Sequence, residues 1–377
     1  MNWNEKKMSH LIPLPTPDPM PLPGPVWLMM TLLLLTFLLH LIAMNLTVGG
    51  TAIALICGLR RKKDEFAGRL SDDLLRVLPV SLAFTITLGV AALLFVQVLY
   101  GNLLYASSIL IGAFWIAVIP TLILAYYGIY YSKSRPGRAG ALWLSLVLLL
   151  AIGFVYVNNF TLMLSPQRWL ALYRQSSEGA NLNWGEASLI PRYLHFMLGA
   201  FAIAGLVVFA AGAWKRSTEY GRWLLLQGSQ WFVVPTVLNY AAGIWFLFSL
   251  PRPVLMNLFI GGWLTPTLLG LGMLLPLAAI VHALLAARTD RTVANARMAI
   301  VATLLTLVAM IGVRQMVRAA YVGAFVHLNE LPVHSQWSVI GLFLVLFIAG
   351  LATVYVMLKK TWEGVDKQPA SRAASGD

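Results

Sequence analysis

Residues 26–63 read VWLMMTLLLLTFLLHLIAMNLTVGGTAIALICGLRRKK, an apolar run that ends in four consecutive basic residues. The run is long enough to cross the hydrocarbon core of a bilayer, which is about 30 Å thick and needs about 20 helical residues. Eight further stretches have the same character. The nine predicted spans, numbered in chain order, are 26–58, 78–100, 104–131, 141–163, 190–213, 226–249, 262–286, 298–322 and 337–358. The sequence therefore predicts an all-α polytopic membrane protein with nine transmembrane helices.

Basic residues collect in every second connection between the spans and in the tail. They are Arg60, Arg61, Lys62, Lys63, Arg69 and Arg76 after span 1, Lys133, Arg135 and Arg138 after span 3, Lys215, Arg216 and Arg222 after span 5, Arg288, Arg291 and Arg297 after span 7, and Lys359, Lys360, Lys367 and Arg372 in the tail. Because cytoplasmic loops carry the excess of lysine and arginine, we predict an external amino terminus and a cytoplasmic carboxyl terminus. The predicted parts of the chain are an external proline-rich arm (1–25), a membrane domain (26–358) and a cytoplasmic tail (359–377).

The composition excludes a soluble domain. Mean hydropathy is +0.77, and 59% of the residues are hydrophobic while 11% are charged. The net charge of +13 does not indicate nucleic-acid binding, because the basic residues are spread over five predicted cytoplasmic segments that face anionic lipid. The single cysteine, Cys57, excludes an intrachain disulfide, and the lack of a C-x-x-C-H motif excludes covalent attachment of a c-type haem.

Few ionisable residues lie within the predicted spans. All 14 acidic residues fall in predicted tails or loops. This disfavours a proton-coupled transporter, because such proteins relay protons through buried Asp, Glu or His. Counting 1.5 Å per helical residue, we expect His40, His195, Arg314 and Arg318 at one level near the outer surface, and His282 at the inner end of span 7.

These outer residues suit two interpretations, and both stay open from the residues alone. A neutral imidazole is a usual ligand of b-type haem iron, and arginine pairs with the propionate carboxylates. Arg314 and Arg318, four residues apart, would present both guanidiniums on one helix face. The alternative is structural, because an intramembrane histidine often only bonds a neighbouring helix and arginines near a helix end extend to the lipid phosphates.

Four segments carry a resemblance to a known family. They are His40-Leu-Ile-Ala-Met-Asn-Leu-Thr-Val-Gly49, Leu88-Gly-Val-Ala91 followed by Gly101, Pro191-Arg-Tyr-Leu-His195, and Val313-Arg-Gln315. With nine spans and an external amino terminus, the chain resembles subunit I of the cytochrome bd-type quinol oxidases. The family carries haem-ligating histidines in its first and fifth helices and a Gly-Arg-Gln segment in its eighth.

The resemblance implies a cofactor site made of named residues. His195 and His40 would ligate haem b, in a number that stays open, and Arg314 and Arg318 would hold the propionates. The matching positions of Gln315 and of Gln97, which stands where the family has a glutamate on its proton path, would also lie at the cofactor site. The resemblance further implies a quinone or quinol ligand and a place in a bacterial-type inner (cytoplasmic) membrane.

Several positions differ from the family's pattern, and these differences limit which activities are expected. Ile311 stands where the family has a haem-ligating Glu, and the carboxylates of its third helix have no counterpart in Leu110–Tyr131. The Met ligand of the low-spin haem would fall near Leu268, with Met273 close enough to replace it, and the long quinol-binding loop shrinks to Pro251–Gly261. Because oxygen reduction consumes protons, a chain without these acids is not expected to be an oxygen reductase.

The leading hypothesis is therefore a b-type cytochrome subunit of a respiratory complex, a quinol-linked oxidoreductase subunit if it is an enzyme. It would pass electrons between the quinone pool and an external partner such as a c-type cytochrome, and would bind other membrane subunits and lipid. The alternative is a haem-free, bd-like membrane anchor that only holds partner subunits. A true quinol oxidase and a transporter are the remaining hypotheses.

Three external segments are candidates for docking that partner: the arm, Ser165–Ile190 and Val326–Ser335. Within the second, Trp169, Leu170, Leu172 and Tyr173 are spaced to form a short helix. That helix would lie either at the membrane interface or as an ordinary loop helix, and the sequence leaves both open.

Overall fold

The computed structural model describes residues 20–135, 139–289 and 291–372. These residues form α1 (Val26–Arg60), α2 (Glu65–Leu110), α3 (Gly112–Ser134), α4 (Ala139–Met163), α5 (Trp169–Gln175), α6 (Leu189–Trp214), α7 (Glu219–Phe248), α8 (Arg252–Ile260), α9 (Leu264–Ala286), α10 (Thr292–Val322) and α11 (Trp337–Arg372), with 3-10 turns at Pro166–Arg168 and Leu328–Glu330. Within that described part, nine helices are long and apolar enough to cross a membrane. The predicted all-α, nine-span fold is confirmed, while the orientation of the termini stays a prediction.

The turn after α1 shows why α2 begins earlier than the apolar pattern predicts. The Asp64 side chain caps α2 by accepting a hydrogen bond from the Ala67 amide. Arg61 donates to both carboxylate oxygens of Asp72, at 2.9 and 2.5 Å, and this raises the pKa of the Arg61 guanidinium. The capped and ion-paired turns make residues 65–77 helical, although their charges had placed them in a predicted loop.

The predicted boundary between spans 2 and 3 at residues 100–104 is wrong. Tyr100 alone leaves helical geometry, with φ −135° and ψ 29°, and α2 bends there and continues to Leu110. A single distorted residue interrupts only local hydrogen bonds, so the helix kinks instead of ending. The break between α2 and α3 falls at Ile111.

Glycines allow α6 and α7 to pack backbone against backbone. A Cβ atom built on Gly205 would lie 2.3 Å from the Trp231 carbonyl carbon, and one on Gly228 would lie 2.2 Å from the Phe209 nitrogen. Small residues at such crossings are a common way for membrane helices to associate, because lipid offers no hydrophobic drive between them. The close contact between α6 and α7 sets the relative position of two helices that carry residues of the site.

The segment between α4 and α6 folds onto the protein. Trp169, at the start of α5, is fully buried, and its indole nitrogen donates to the Leu162 carbonyl at 2.9 Å. Asn183 donates its amide to the Asn158 side chain at 2.8 Å. Both interpretations of this helix stay predictions, because Trp169 and Leu172 are buried in protein while the Tyr173 side chain is exposed.

The chain divides into two compact units. The larger contains residues 30–327, and the smaller contains, among the described residues, 20–29 and 328–372. In the smaller unit Leu22 donates its amide to the Pro332 carbonyl and accepts from the His334 amide, so the end of the predicted proline-rich arm is extended. Residues 1–19 of that arm lie outside the described residues. α11 continues without interruption through the predicted boundary at residue 358. The division into arm, membrane domain and tail stays a prediction.

Candidate cofactor site

A cavity of about 260 Å³ lies within the larger unit. Its wall comes from α1, α4, α6, α7, α8, α9 and α10 and is mostly aliphatic and aromatic. His195, Arg192, Arg314 and Arg318 all line it. An apolar wall with a few converging polar groups is the usual make-up of a ligand site.

His195 occupies the second turn of α6, and its ring packs on α7. A Cβ on Gly243 would lie 3.2 Å from both Cε1 and Nδ1 of the imidazole, so the ring rests on bare backbone. Phe246 stacks beside it with ring centroids 6.4 Å apart and an interplanar angle of 26°. The Nδ1 atom is buried against the α7 backbone at Gly243, with the Asn239 side chain next to it, and makes no hydrogen bond of good geometry. His195 therefore lines the cavity with a ring whose Nδ1 edge is packed on α7.

Arg314 and Arg318 extend from the last three turns of α10. The Arg314 guanidinium carbon lies 4.2 Å from the Phe37 ring centroid and 5.3 Å from that of Phe160. Arg318 donates Nη1 to the Gln315 side-chain oxygen at 3.1 Å, while its Nη2 is buried without a hydrogen bond. Both guanidiniums were expected on one face of the helix, and both residues line the same cavity.

Arg192 is a third cationic residue of the cavity, and the sequence analysis did not assign it a role. Its guanidinium carbon lies 4.9 Å from the Phe246 ring centroid, and its Nε and Nη2 atoms are buried without hydrogen bonds. The sequence does contain a signal for this role. Residues three positions apart lie on the same helix face, and Arg192 precedes His195 by three positions.

The charges of this cavity are unbalanced. Three arginines line it, and no Asp or Glu among residues 20–135, 139–289 and 291–372 does so. Burying an unpaired charge costs several kcal/mol per ion. The arrangement is therefore suited to a ligand with a large apolar body and more than one negative group, because guanidinium pairs with carboxylate in a two-pronged geometry.

Gln315 does not line the cavity but supports Arg318. Its Nε2 donates to the Tyr100 hydroxyl at 3.0 Å, and Arg318 lies 5.1 Å from the Tyr100 ring centroid. Both Gln315 and Tyr100 are buried. The kink of α2 at Tyr100 thus coincides with the point where its phenol meets Gln315.

We expect Tyr100→Phe to lower stability by about 1–3 kcal/mol, because it leaves the buried Gln315 amide nitrogen without an acceptor. Thermal unfolding in detergent measures the change. Tyr105→Phe is the matched control, since the Tyr105 side chain is 62% exposed. Equal melting temperatures for both variants would show that the hydrogen bond to the Tyr100 hydroxyl does not stabilise the protein.

His40 and Gln97 are not brought to this cavity. The His40 Nδ1 atom lies 2.9 Å from the Thr85 carbonyl oxygen, and Gly89 leaves room for the ring. This hydrogen bond to a neighbouring helix agrees with both interpretations, because a haem-ligating histidine also donates its other ring nitrogen to a carbonyl. Gln97 is exposed on the surface of α2. His195 lines the cavity with the three arginines, whereas the His40 ring is turned towards Thr85 of α2 and interacts electrostatically with Arg314 without lining the cavity.

Two further residues were named above in connection with the family's haem ligands. Ile311 and Met273 both line the cavity. Within the described ranges, no three His, Cys, Asp or Glu side chains cluster in a way that could hold a metal ion by themselves.

The fold and the cavity define the class: a polytopic helical membrane protein with an apolar, cationic interior site. Among solved structures, the chain is similar to the bd oxidase from Geobacillus thermodenitrificans, with a TM-score of 0.67 and 14% identity over 91% of this chain and 99% of that one. The predicted bd-type subunit I fold is confirmed by this likeness. No protein-family model and no curated protein matches the chain.

Proposed function

We propose that the chain is a b-type cytochrome subunit of a quinol-linked respiratory complex. One observation carries the proposal: one apolar cavity is lined by an imidazole and by three guanidiniums, and no Asp or Glu of the described residues lines it. Haem b has complementary chemistry, with an iron that binds imidazole and two propionate carboxylates that pair with arginine. The bd-type fold supports the same assignment.

The residues present fit that group. His195 would ligate the iron, Arg314 and Arg318 would hold the propionates, and the apolar wall would exclude water. Met273 lines the same cavity and would be a second residue to hold the iron. When bound, the haem would supply one-electron transfer, while the chain's own part is to orient the ring and neutralise its carboxylates.

The remaining parts of the proposal concern partners. Electrons would pass between the quinone pool and an external redox protein such as a c-type cytochrome, in a bacterial-type inner membrane with other membrane subunits and lipid. Ile311 in the cavity wall supports a subunit that does not reduce oxygen, because a carboxylate there would be needed for the family's ligand set. A haem-free membrane anchor is the second candidate, and Ile311 at the position of the family's Glu ligand favours it.

A spectrum separates the two candidates. We expect the purified chain to show a b-type α-band in its reduced-minus-oxidised spectrum and to give a positive pyridine haemochrome assay.

Reconstitution of the haem-depleted chain then tests the arginines, with haem and its dimethyl ester as matched ligands. Because hydrogen bonds to charged groups are worth about 1.5–3 kcal/mol, the ester should bind about tenfold more weakly or worse. A purified chain that neither carries nor accepts haem would leave only the anchor.

A further inference from the structure

Arg192 is the cavity arginine that is closest along the chain to His195. Both residues extend from the first two turns of α6, and both line the cavity. They also share a neighbour on α7, because the Phe246 ring centroid lies 4.9 Å from the Arg192 guanidinium carbon and 6.4 Å from the His195 ring centroid. The charge of Arg192 therefore lies no farther from the imidazole than these two distances together.

The positive charge of Arg192 has no carboxylate partner. Arginine stays protonated in proteins. The Nε and Nη2 atoms of Arg192 are buried without hydrogen bonds, and no salt bridge joins it to an acid among the residues that the structure describes. The acid closest to it along the chain, Glu186, accepts hydrogen bonds from Ser165 and Ser188 instead. The charge is therefore buried beside the cavity and is not part of an ion pair.

The three guanidiniums exceed what the carboxylates of haem b can neutralise. Two propionates would balance Arg314 and Arg318, which line the cavity from the same helix, α10. The charge of Arg192, on another helix, then remains in excess. Ferric iron in its porphyrin carries one positive charge and ferrous iron carries none, so an added electron removes a positive charge from a site that is already positive. Coulomb's law favours this step, and more strongly in an apolar cavity than in water, because the effective dielectric is lower.

We propose that Arg192 raises the reduction potential of the haem, so that the cavity takes electrons from a quinol and does not give them to a quinone. This rests on the proposed function and adds the direction of electron flow to it. One quinol reduces two ferric haems to the ferrous state, one electron each, and becomes a quinone while two protons pass to water. Arg192 moves neither electron nor proton and acts through its charge alone. The partner that re-oxidises the haem is then a stronger oxidant than the quinone.

A redox titration of the purified haem-containing chain, followed by the absorbance of its α-band, tests the proposal. In Arg192→Gln the ratio of ferrous to ferric haem at the native midpoint should fall about tenfold, which equals a potential lower by about 59 mV for one electron. Coulomb's law gives that size for unit charges about 10 Å apart at an effective dielectric of about 20. Arg192→Lys keeps the charge and should keep most of the native potential. Arg174→Gln is the matched control, because Arg174 is exposed on α5 and does not line the cavity, and it should show the native potential.

The outcomes separate this inference from the proposed function. Equal potentials of the native chain and Arg192→Gln, with haem bound in both, overturn the role of Arg192, and so does a potential of Arg192→Lys as low as that of Arg192→Gln. A purified chain without haem overturns the proposed function instead. Should Arg192→Gln not fold or not keep its haem, the native chain decides, because an excess of the quinol menadiol must reduce its haem in the absence of oxygen. A native haem that stays ferric refutes the proposal.

Discussion

We expect His195→Ala to lower the haem content of the purified chain by at least about tenfold. Even loss of a group that only orients a metal ligand costs about 10–100-fold in affinity, and His195 is proposed as the ligand itself. The apolar wall and the arginines would still attract the porphyrin weakly, so a small remainder is compatible with the prediction. Pyridine haemochrome per mole of purified chain measures the effect.

His40→Ala and His282→Ala are the matched controls. His40 bonds the Thr85 carbonyl, and the His282 Nδ1 atom lies 3.0 Å from the Asn295 side-chain oxygen, and neither lines the cavity. Both variants should keep the haem of the native chain. Full haem in His195→Ala, or loss of haem in His40→Ala alone, would mean that the iron ligand has been assigned to the wrong histidine.

The second large effect is expected from Gly228→Leu, at the contact between α6 and α7. A Cβ there would lie 2.2 Å from the Phe209 nitrogen and 2.8 Å from the Val208 carbonyl carbon, which are backbone atoms and cannot rotate away. The two helices would have to separate, at a cost of more than about 3 kcal/mol. Because His195 and the Gly243 on which it rests belong to these two helices, haem should be lost together with stability.

Gly270→Leu provides the comparison, since a Cβ at Gly270 meets nothing within 4 Å. The same residue change is then made on a transmembrane helix with open space around it. Size-exclusion chromatography and thermal unfolding in one detergent should show native behaviour for Gly270→Leu and aggregation or a much lower melting temperature for Gly228→Leu. Similar behaviour of the two variants would contradict the close packing of α6 against α7.

Much of the fold followed from hydropathy. A bilayer requires long apolar helices, so nine apolar runs predicted nine helices with ends that were mostly close to those observed. The exceptions have local causes. The cap at Asp64 and the Arg61–Asp72 pair extend α2 backwards, and the distortion at Tyr100 bends it without ending it. Hydropathy cannot detect such contacts because they depend on particular side chains meeting.

The site was predicted only in part. Depth along a helix can be counted from residue numbers, and His195, Arg314 and Arg318 do line one cavity. Depth does not specify direction, however, so His40 was expected beside them although its ring faces α2. Arg192 was passed over, because the order of residues does not show that α6 turns it towards the cavity.

Hydropathy alone was enough to predict the nine helices that, among the described residues, are long and apolar enough to cross a membrane, because transfer of apolar side chains into lipid is a property of each segment alone. The amino-acid sequence also determined which spans carry histidine and arginine. Which of these residues share a cavity could be seen only in the folded chain. The rotation of each helix about its axis sets the direction of its side chains, and packing contacts such as Gly228 against Phe209 set that rotation. The unbalanced charge of three arginines is likewise a property of the packed helices.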